Sequence, residues 1–351
     1  MNNRLKKLVT EFPRYRAIDA LLLTNDTNIR YLTDFPASES WLLVTKTKAF
    51  YITDSRYTHE AREGLKGVTV KQYSQQPCLT LWDLCKRYKV KRLGFDERHT
   101  SVAMLKKLKQ FCPRRIKLLP ATGLVESLRE IKEEGEINQI RACLKLHFKA
   151  IGLMKKVVRP GLTERQVLAK LESFVKSHKA GFSFSPIIAS GSNSCFPHAK
   201  VTDKVIRNHE PVLLDFGIDI NGYKSDLTRN FFLGRITPRY AKVLAAVTQA
   251  QQESIKLIRP GMAVADIDAH ARKVLRKFGL AKYFGHSLGH GVGLDIHENP
   301  RLSTKCQCVL EPGMIVTVEP GVYIPGQFGI RVEDMVLVTK EGCEVLSGNH
   351  D

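Results

Sequence analysis

Pro211-Val-Leu-Leu-Asp-Phe-Gly-Ile-Asp-Ile-Asn-Gly-Tyr-Lys-Ser-Asp-Leu-Thr-Arg-Asn-Phe-Phe-Leu233 is the stretch whose reading decides the rest. Asn221-Gly222 is a hairpin signal, because both central residues of a tight type I′ turn need positive φ. It divides the stretch into two strands, Pro211–Ile220 and Gly222–Leu233. With that turn Ile220 faces Tyr223 and paired residue numbers sum to 443, so Asp226 faces Gly217 and Asp215 faces Thr228. Asp215 and Asp226 then share one face, a diagonal step of about 7–8 Å apart, and their side chains can converge. Gly217 leaves room beside Asp226. Asp219 is on the same face but lies next to the turn and reads as solvated. Val212, Leu213, Leu214, Phe231 and Phe232 argue that the sheet is buried. Buried carboxylates that face each other are costly without a cation. The pair therefore reads as a metal site, or as surface charge if its face is open to water.

Further on, Met314–Gly321 reads as a strand carrying Glu319, and Gly329–Val338 as another carrying Glu333. Asp334 points away from Glu333 because strand side chains alternate. Between the two carboxylate pairs lies Gly285-His-Ser-Leu-Gly-His-Gly-Val-Gly-Leu-Asp-Ile-His-Glu298. Its His286, His290 and His297, set among glycines, predict a loop packed closely around a ligand or metal. His198 ends another candidate segment, Ala189-Ser-Gly-Ser-Asn-Ser-Cys-Phe-Pro-His198. Cys195 within it lacks a paired base and reads as a buried thiol, not a nucleophile. His59, His99, His147, His178, His209, His270 and His350 have no such company and read as ordinary structural or surface residues.

The carboxylate pairs fall in two similar units. Val157-Val-Arg-Pro-Gly-Leu-Thr-Glu164 resembles Leu257-Ile-Arg-Pro-Gly-Met-Ala-Val264, with Arg159 and Arg259 opening the shared Arg-Pro-Gly triplets 100 residues apart. Each triplet follows one helical pattern and opens another, which predicts a duplicated helix–helix–strand unit. The N-terminal third differs. Ala20–Thr24, Trp41–Thr45 and Ala49–Thr53 read as strands and Arg56–Gly64 and Leu79–Lys89 as helices, an α/β alternation. The texture changes at Pro120-Ala-Thr-Gly123, and an amphipathic stretch, Leu124–Val158, follows. The expected organisation is an α/β domain over 1–123 and a larger domain over 124–351, as a length of 351 residues suggests.

Composition rules out several classes. Hydrophobic residues make up 43% and charged residues 26%, enough for a packed core. The net charge of +20 invites a nucleic-acid or membrane-surface reading. Its densest stretches, Lys86–Arg92 and Lys106–Lys117, match no helix-turn-helix, zinc-finger or RNA-binding signature and read as solvated faces. No apolar run approaches the ~18 residues that span a bilayer, and the N-terminus lacks a signal-peptide core. Eight scattered cysteines without a C-x-x-C pair predict free thiols in a reducing cytoplasm.

Four carboxylates with one imidazole suit Mn²⁺, Co²⁺ or Zn²⁺. They exceed the needs of one ion, so two ions about 3.5–4 Å apart sharing a water are expected, and metal-assisted hydrolysis with them. Further histidines can steady a tetrahedral intermediate or move protons.

At this point the order and spacing of Asp215, Asp226, His290, Glu319 and Glu333 resemble the pita-bread metallopeptidases. The segment ending in His198, Gly222-Tyr-Lys-Ser-Asp-Leu-Thr-Arg229, His286–Leu294 and Ile330-Arg-Val-Glu-Asp334 resemble their proline-specific branch, aminopeptidase P and prolidase. Asn28-Ile-Arg-Tyr-Leu-Thr-Asp-Phe35 and Thr53-Asp-Ser-Arg-Tyr57 resemble the creatinase-like N-terminal domain of that branch. The resemblance implies an α/β (α+β) chain, a creatinase-like domain followed by a pita-bread domain with an internal pseudo-two-fold repeat. It implies that the five residues bind two divalent ions, manganese first and cobalt or zinc as alternatives. Glu319 would also handle the proton of the attacking water. His198 and His297 would flank the scissile peptide, and His286 would line the same pocket. Arg331 would hold a carboxylate ligand. Arg301 stands where some prolidases bind the substrate carboxylate, or is an ordinary loop cation. Asn230 departs from the family's more usual Thr. The implied activity is cleavage of Xaa-Pro bonds in peptides with proline second, aminopeptidase P-like, with Xaa-Pro dipeptidase as the alternative. Methionine aminopeptidase shares the five ligands but not the creatinase-like domain, and non-catalytic relatives lack ligands that are all present here. A homodimer without nucleic-acid or membrane partners is implied.

Overall fold

The computed structural model describes residues 1–14 and 17–348, and His350 lies outside them. The chain divides into two compact units, Met1–Arg129 and Glu130–Asp351.

The first unit is built on a six-stranded sheet. Its strands are β1 (Ala20–Leu23), β2 (Trp41–Thr45), β3 (Ala49–Thr53), β4 (Thr69–Gln72), β5 (Arg92–Phe95) and β6 (Lys117–Pro120), in the order β4-β3-β2-β1-β5-β6. The hairpin partners β1, β2 and β3 are antiparallel, and the flanking pairs are parallel. Helices α1 (Asn3–Glu11), α2 (Asp26–Thr33), α3 (Ser55–Gly64), α4 (Pro77–Arg87) and α5 (Val102–Phe111) connect them. Helix α4 starts at Pro77, where a missing N–H costs nothing. Leu81, Trp82 and Leu108 bury one helix layer against Leu22, Leu43, Phe50, Ile52 and Leu93 of the sheet. The basic stretches supply the exposed Lys86, Arg87, Lys106, Lys107 and Lys109 of α4 and α5, mostly near helix C-termini, where cations are favoured.

The amphipathic stretch after Gly123 is two helices, α6 (Leu124–Glu130) and α7 (Glu134–Val157). The chain therefore divides after Arg129, whereas the sequence reading put the boundary near residue 123. Helix α6 is fastened to the first unit: Asn28 Nδ2 donates to Glu126 Oε1 at 2.9 Å, and Arg129 Nη1 donates to Asn28 Oδ1 at 2.7 Å. The break follows from Lys132 N bonding Gly313 O at 2.9 Å and from Glu133 capping α7 reciprocally with Glu136.

The second unit is a duplicated frame. Its first half has α7, α8 (Glu164–Ser177), β7 (Gly181–Phe182), β8 (Ile187–Ser190), β9 (Pro211–Phe216), β10 (Ile218–Ile220), β11 (Tyr223–Lys224) and β12 (Leu227–Phe232). Its second half has α9 (Pro238–Ile255), α10 (Val264–Lys277), β13 (Gly289–Gly291), β14 (Glu298–Leu302), β15 (Ile315–Val318), β16 (Gly321–Ile324), β17 (Phe328–Arg331), β18 (Asp334–Val338) and β19 (Cys343–Val345). The two Arg-Pro-Gly turns are equivalent in detail. Gly161 and Gly261 have φ of 91° and 78°, a region that favours glycine. Gly161 N bonds Ile206 O at 3.0 Å and Gly261 N bonds Leu310 O at 2.8 Å. Thr163 then bridges Val205, and Ala263 bridges Val309. Each half buries its helix pair in a core of its own, around Leu144, Val167 and Leu214 in one and Val247, Ile267 and Val336 in the other.

The long strands expected around the carboxylates are broken. Ile220 pairs with Tyr223 and Asp215 with Thr228, as the register requires, but the hairpin parts at Gly217 into two three-stranded sheets. A Cβ at Gly217 would lie 2.1 Å from Ser225 O, so only glycine admits this approach. The expected strand Gly329–Val338 is likewise two strands in different sheets, β17 and β18. The expected histidine loop contains a strand, β13, between β14 and β15. Cβ atoms at Gly289 and Gly291 would lie 2.0 Å and 2.1 Å from Thr317 O and Asn299 O, so these glycines serve strand pairing. One expectation about cysteine fails: Cys306 and Cys308 are bridged, their Cα atoms 5.5 Å apart, within the usual disulfide span. Among the described residues no helix is long and apolar enough to cross a membrane.

Candidate metal centre

The strand breaks deliver the carboxylates to one place. Asp215 is near the end of β9, Asp226 immediately precedes β12, Glu319 follows β15, and Glu333 lies between β17 and β18. His290 is the middle residue of β13, at a register shift that re-aims the strand. Ligand atoms of Asp226, His290 and Glu333 lie within 4.8 Å of one another. His290 Nε2 is 3.6 Å from Asp226 Oδ2 and 3.3 Å from Glu319 Oε1. His290 Nδ1 is 3.0 Å from Gly291 O, which can only accept, so Nδ1 carries a proton. That leaves Nε2 to face the carboxylates, the usual orientation of a ligating imidazole.

Arg331 joins the two carboxylate pairs. Its Nη2 donates to Asp215 Oδ2, and its Nε donates to Thr228 Oγ1 at 2.9 Å. Thr228 Oγ1 donates in turn to Glu333 Oε2 at 2.7 Å. Nη1 donates to Tyr323 OH and to Pro197 O. Asn230 Nδ2 holds Arg331 O at 2.6 Å.

The site concentrates negative charge where water is scarce. Burial, then repulsion by Glu333, Asp215 and Glu319, pushes the Asp226 carboxyl well above its ordinary value. Burial, then Glu319 and Asp215, does the same to Glu333. Burial also raises Asp215, against the pull of Arg331. Burial opposes the charge on His290 and Glu319, but their mutual hydrogen bond and attraction prevail, raising the first and lowering the second. Asp215 Oδ1 and Asp226 Oδ1 are buried and find no hydrogen-bond partner among the described residues. Such orphaned oxygens are costly, and a cation would satisfy them. The donor set thus fits a divalent metal.

The remaining candidates surround this cluster. The His297 ring meets the His290 ring edge-on at 4.4 Å, and burial followed by the charge of His290 lowers its pKa. His198 is exposed, and burial lowers the pKa of His286. His286 is bound to the protein through both ring nitrogens, Nδ1 to Ser287 O at 2.8 Å and Nε2 to Tyr323 OH at 3.0 Å. Arg301 is exposed and is the cross-strand partner of His290, with Nε 3.2 Å from Ser287 Oγ. Asp219 accepts from Gly222 N and Lys224, and Asp334 accepts from Arg229 and Ser347, so both are engaged outside the cluster.

Three supporting residues escaped the sequence reading: Thr228, Thr317 and Tyr323. Thr317 Oγ1 accepts from His290 N at 3.0 Å and donates to Glu319 Oε1 at 3.2 Å. Thr228 and Thr317 lie two residues from Asp226 and Glu319, so strand alternation could have found them. Tyr323 had no such signal. A second group, Asp96, His99 and Glu126, also clusters in the first unit. There Arg98 Nη2 already pairs with Glu126 at 3.2 Å and Arg98 N bonds Asp96 at 3.0 Å, so protein donors satisfy the charge.

Residues 138–340 match metallopeptidase family M24, and residues 4–131 match the creatinase/prolidase N-terminal domain. An Xaa-Pro dipeptidase of Pyrococcus horikoshii is 32% identical over 99% of this chain and 97% of its own. A solved Xaa-Pro dipeptidase from Bacillus anthracis superposes with a TM-score of 0.94 at 35% identity, covering 99% of this chain and 97% of that one. A solved X-Pro aminopeptidase from Thermotoga maritima gives 0.88 at 31% identity, covering 95% and 96%. The creatinase-like and pita-bread architecture expected from sequence is therefore the fold, and this chain is a metallopeptidase belonging to family M24.

Proposed function

We propose that the chain hydrolyses peptide bonds preceding proline, using two divalent cations, manganese first, held by Asp215, Asp226, His290, Glu319 and Glu333. The observation that carries this reading is the buried cluster in which Asp215 Oδ1 and Asp226 Oδ1 have no hydrogen-bond partner among the described residues. The dipeptidase and aminopeptidase names of the similar proteins support the choice of proline substrates. Divalent cations bound there would supply Lewis acidity that activates a water near neutral pH. Glu319, kept ionised beside His290, would take up the proton of the attacking water. His198 and His297, both exposed, the latter edge-on to His290, would donate to the developing oxyanion and the leaving nitrogen. Arg331 holds Asp215 in place, and His286 lines the pocket wall through Tyr323.

Arg301 favours the dipeptidase form. An exposed guanidinium across the ladder from His290 suits the free carboxylate of an Xaa-Pro dipeptide. The aminopeptidase form, ranked first on sequence grounds, remains the second reading, favoured by the likeness to the Thermotoga enzyme. Manganese-loaded protein incubated with Ala-Pro and with Ala-Pro-Ala tests both. Rapid turnover of Ala-Pro with little of the tripeptide is expected, and turnover of neither with metal bound overturns the proposal. The family resemblance also supports a homodimer, which sedimentation velocity would test.

A further inference from the structure

We infer that Glu164 is a positioning residue, closing the loop that presents His198. Glu164 is fully buried, at 0% exposure, as the first residue of α8. Its Oε1 accepts from Ser190 N at 2.7 Å, Ser190 Oγ at 2.9 Å and Asn193 Nδ2 at 3.2 Å. Its Oε2 accepts from Asn193 Nδ2 at 3.0 Å, Thr202 N at 3.0 Å and Thr202 Oγ1 at 2.7 Å. Ser190 and Thr202 are the two ends of the segment that carries His198, so one carboxylate ties both ends together. A cation acts one step removed: Lys204 Nζ donates to Ser190 Oγ at 2.7 Å and pairs with Glu210.

The same turn forms elsewhere in the chain without a carboxylate. The second half of the unit repeats the same turn, with Val264 N bonding Cys308 O at 3.1 Å as Glu164 N bonds Lys204 O at 3.1 Å. Val264 is equally buried, so a valine serves the frame there. A buried carboxylate carries a desolvation cost that an apolar residue avoids. The first half accepts that cost, and what it obtains is the closed loop. The loop in turn touches the candidate centre, since Pro197 O accepts from Arg331 Nη1 at 3.3 Å and Ser194 Oγ accepts from Gly329 N at 2.9 Å. Releasing the ends would let His198 drift while leaving Asp215, Asp226, His290, Glu319 and Glu333 on or beside their own strands.

This inference rests on His198 acting at the scissile peptide. The test compares wild type, Glu164→Gln, Thr202→Val, His198→Ala and the Glu164→Gln/His198→Ala double variant. It measures Ala-Pro kinetics, Mn²⁺ affinity by calorimetry, and hydrogen exchange across residues 190–202 and 211–216. In Glu164→Gln, kcat should fall about 10- to 100-fold, the scale of an ångström-sized misplacement, with Mn²⁺ affinity unchanged. The double variant should lose little beyond His198→Ala alone. Exchange should rise in 190–202 and stay as in wild type in 211–216. Thr202→Val, which removes one of the donors and keeps the carboxylate, should show the same changes to a smaller degree, and it decides the matter if Glu164→Gln does not fold. Unchanged kcat and exchange, full additivity with His198→Ala, or Mn²⁺ affinity falling in step with kcat would each overturn the inference. If wild type turns over no Xaa-Pro peptide, the functional proposal fails by itself, and unaltered exchange in the variants would still sink the role of Glu164.

Discussion

Replacing Asp226 by Asn tests the candidate centre most directly. The change keeps the size of the side chain and removes one of three groups whose ligand atoms converge within 4.8 Å. Asp226 Oδ1 has no hydrogen-bond partner among the described residues, so the change breaks no hydrogen bond seen at that atom. It also removes a carboxylate that burial, Glu333, Asp215 and Glu319 all disfavour in its charged form. The metal-free variant should therefore be at least as stable as metal-free wild type. The metal-loaded comparison should go the other way. Divalent metal at a hundred times its dissociation constant stabilises a protein by about 2.7 kcal/mol. At roughly 2–4 °C per kcal/mol for a domain of this size, that is a rise in Tm of about 5–11 °C. A hundredfold weaker site leaves about 0.4 kcal/mol at the same concentration, or ~1 °C. Differential scanning fluorimetry with and without Mn²⁺, run beside an Ala-Pro assay, reads both effects. An undiminished metal-induced rise in Tm together with full turnover in Asp226→Asn would refute the assignment.

Other variants probe the surroundings of the centre. Arg301→Ala should raise KM for Ala-Pro roughly 10- to 100-fold with kcat nearly unchanged, the scale of one lost charge-assisted hydrogen bond; an unchanged KM would return Arg301 to an ordinary surface cation. Thr228→Val removes the hydroxyl that bridges Arg331 and Glu333. Leaving buried polar partners unmatched should cost about 1–3 kcal/mol in urea unfolding, and a loss below half a kilocalorie would mean that the bridge carries no load. His147 gives a pH dependence. It is wholly buried, and burial followed by the charge of Arg229 holds its imidazole well below 6.5. Below pH 6.5 the unfolded chain therefore binds a proton that the folded chain refuses, and stability falls as pH falls, by up to about 1.4 kcal/mol per pH unit. His147→Gln should flatten that slope between about pH 6.5 and 5.5, and an unaltered slope would show that another group titrates there.

Much of the architecture was legible where local chemistry coincides with the final pairing. Asn221-Gly222 specified the turn, and the turn specified the register that brings Asp215 opposite Thr228. The Arg-Pro-Gly triplets marked equivalent turns because positive φ favours glycine. What stayed hidden depends on contacts distant in sequence. The breaks at Gly217 and between Arg331 and Asp334 are invisible as pattern, since apolar residues continue on both sides. Strand β4 is a half-exposed edge without alternation, and β5 and β6 are four-residue strands next to basic stretches that read as solvated surface. Helix α6 joins the first unit through Asn28, about a hundred residues earlier, and no local signal marks that bond. Within the site the ligand candidates were legible as a spacing. Tyr323 was not, because its place depends on Arg331 and His286 meeting at one hydroxyl.

The duplicated frame explains why the carboxylates lie at strand breaks. An unbroken antiparallel strand points alternate side chains to opposite faces, so it can bring only every second residue to a site. Two halves that each break a strand beside a carboxylate can aim a further group from the next sheet at the same point. In the first half Gly217 permits the break and Asp226 is delivered just before β12. In the second half Glu319 directly follows β15, Glu333 directly precedes β18, and His290 stands at the register shift of β13. The halves share a backbone and differ in what they bury: Glu164 in one occupies the place of Val264 in the other. If Glu164 served the frame alone, Glu164→Val should lower stability, through the Ser190, Asn193 and Thr202 donors it leaves unpaired, and leave turnover unchanged. If loop closure keeps it, the valine that suits the second half should leave the fold intact, free the segment from Ser190 to Thr202, and lower turnover without loosening the metal.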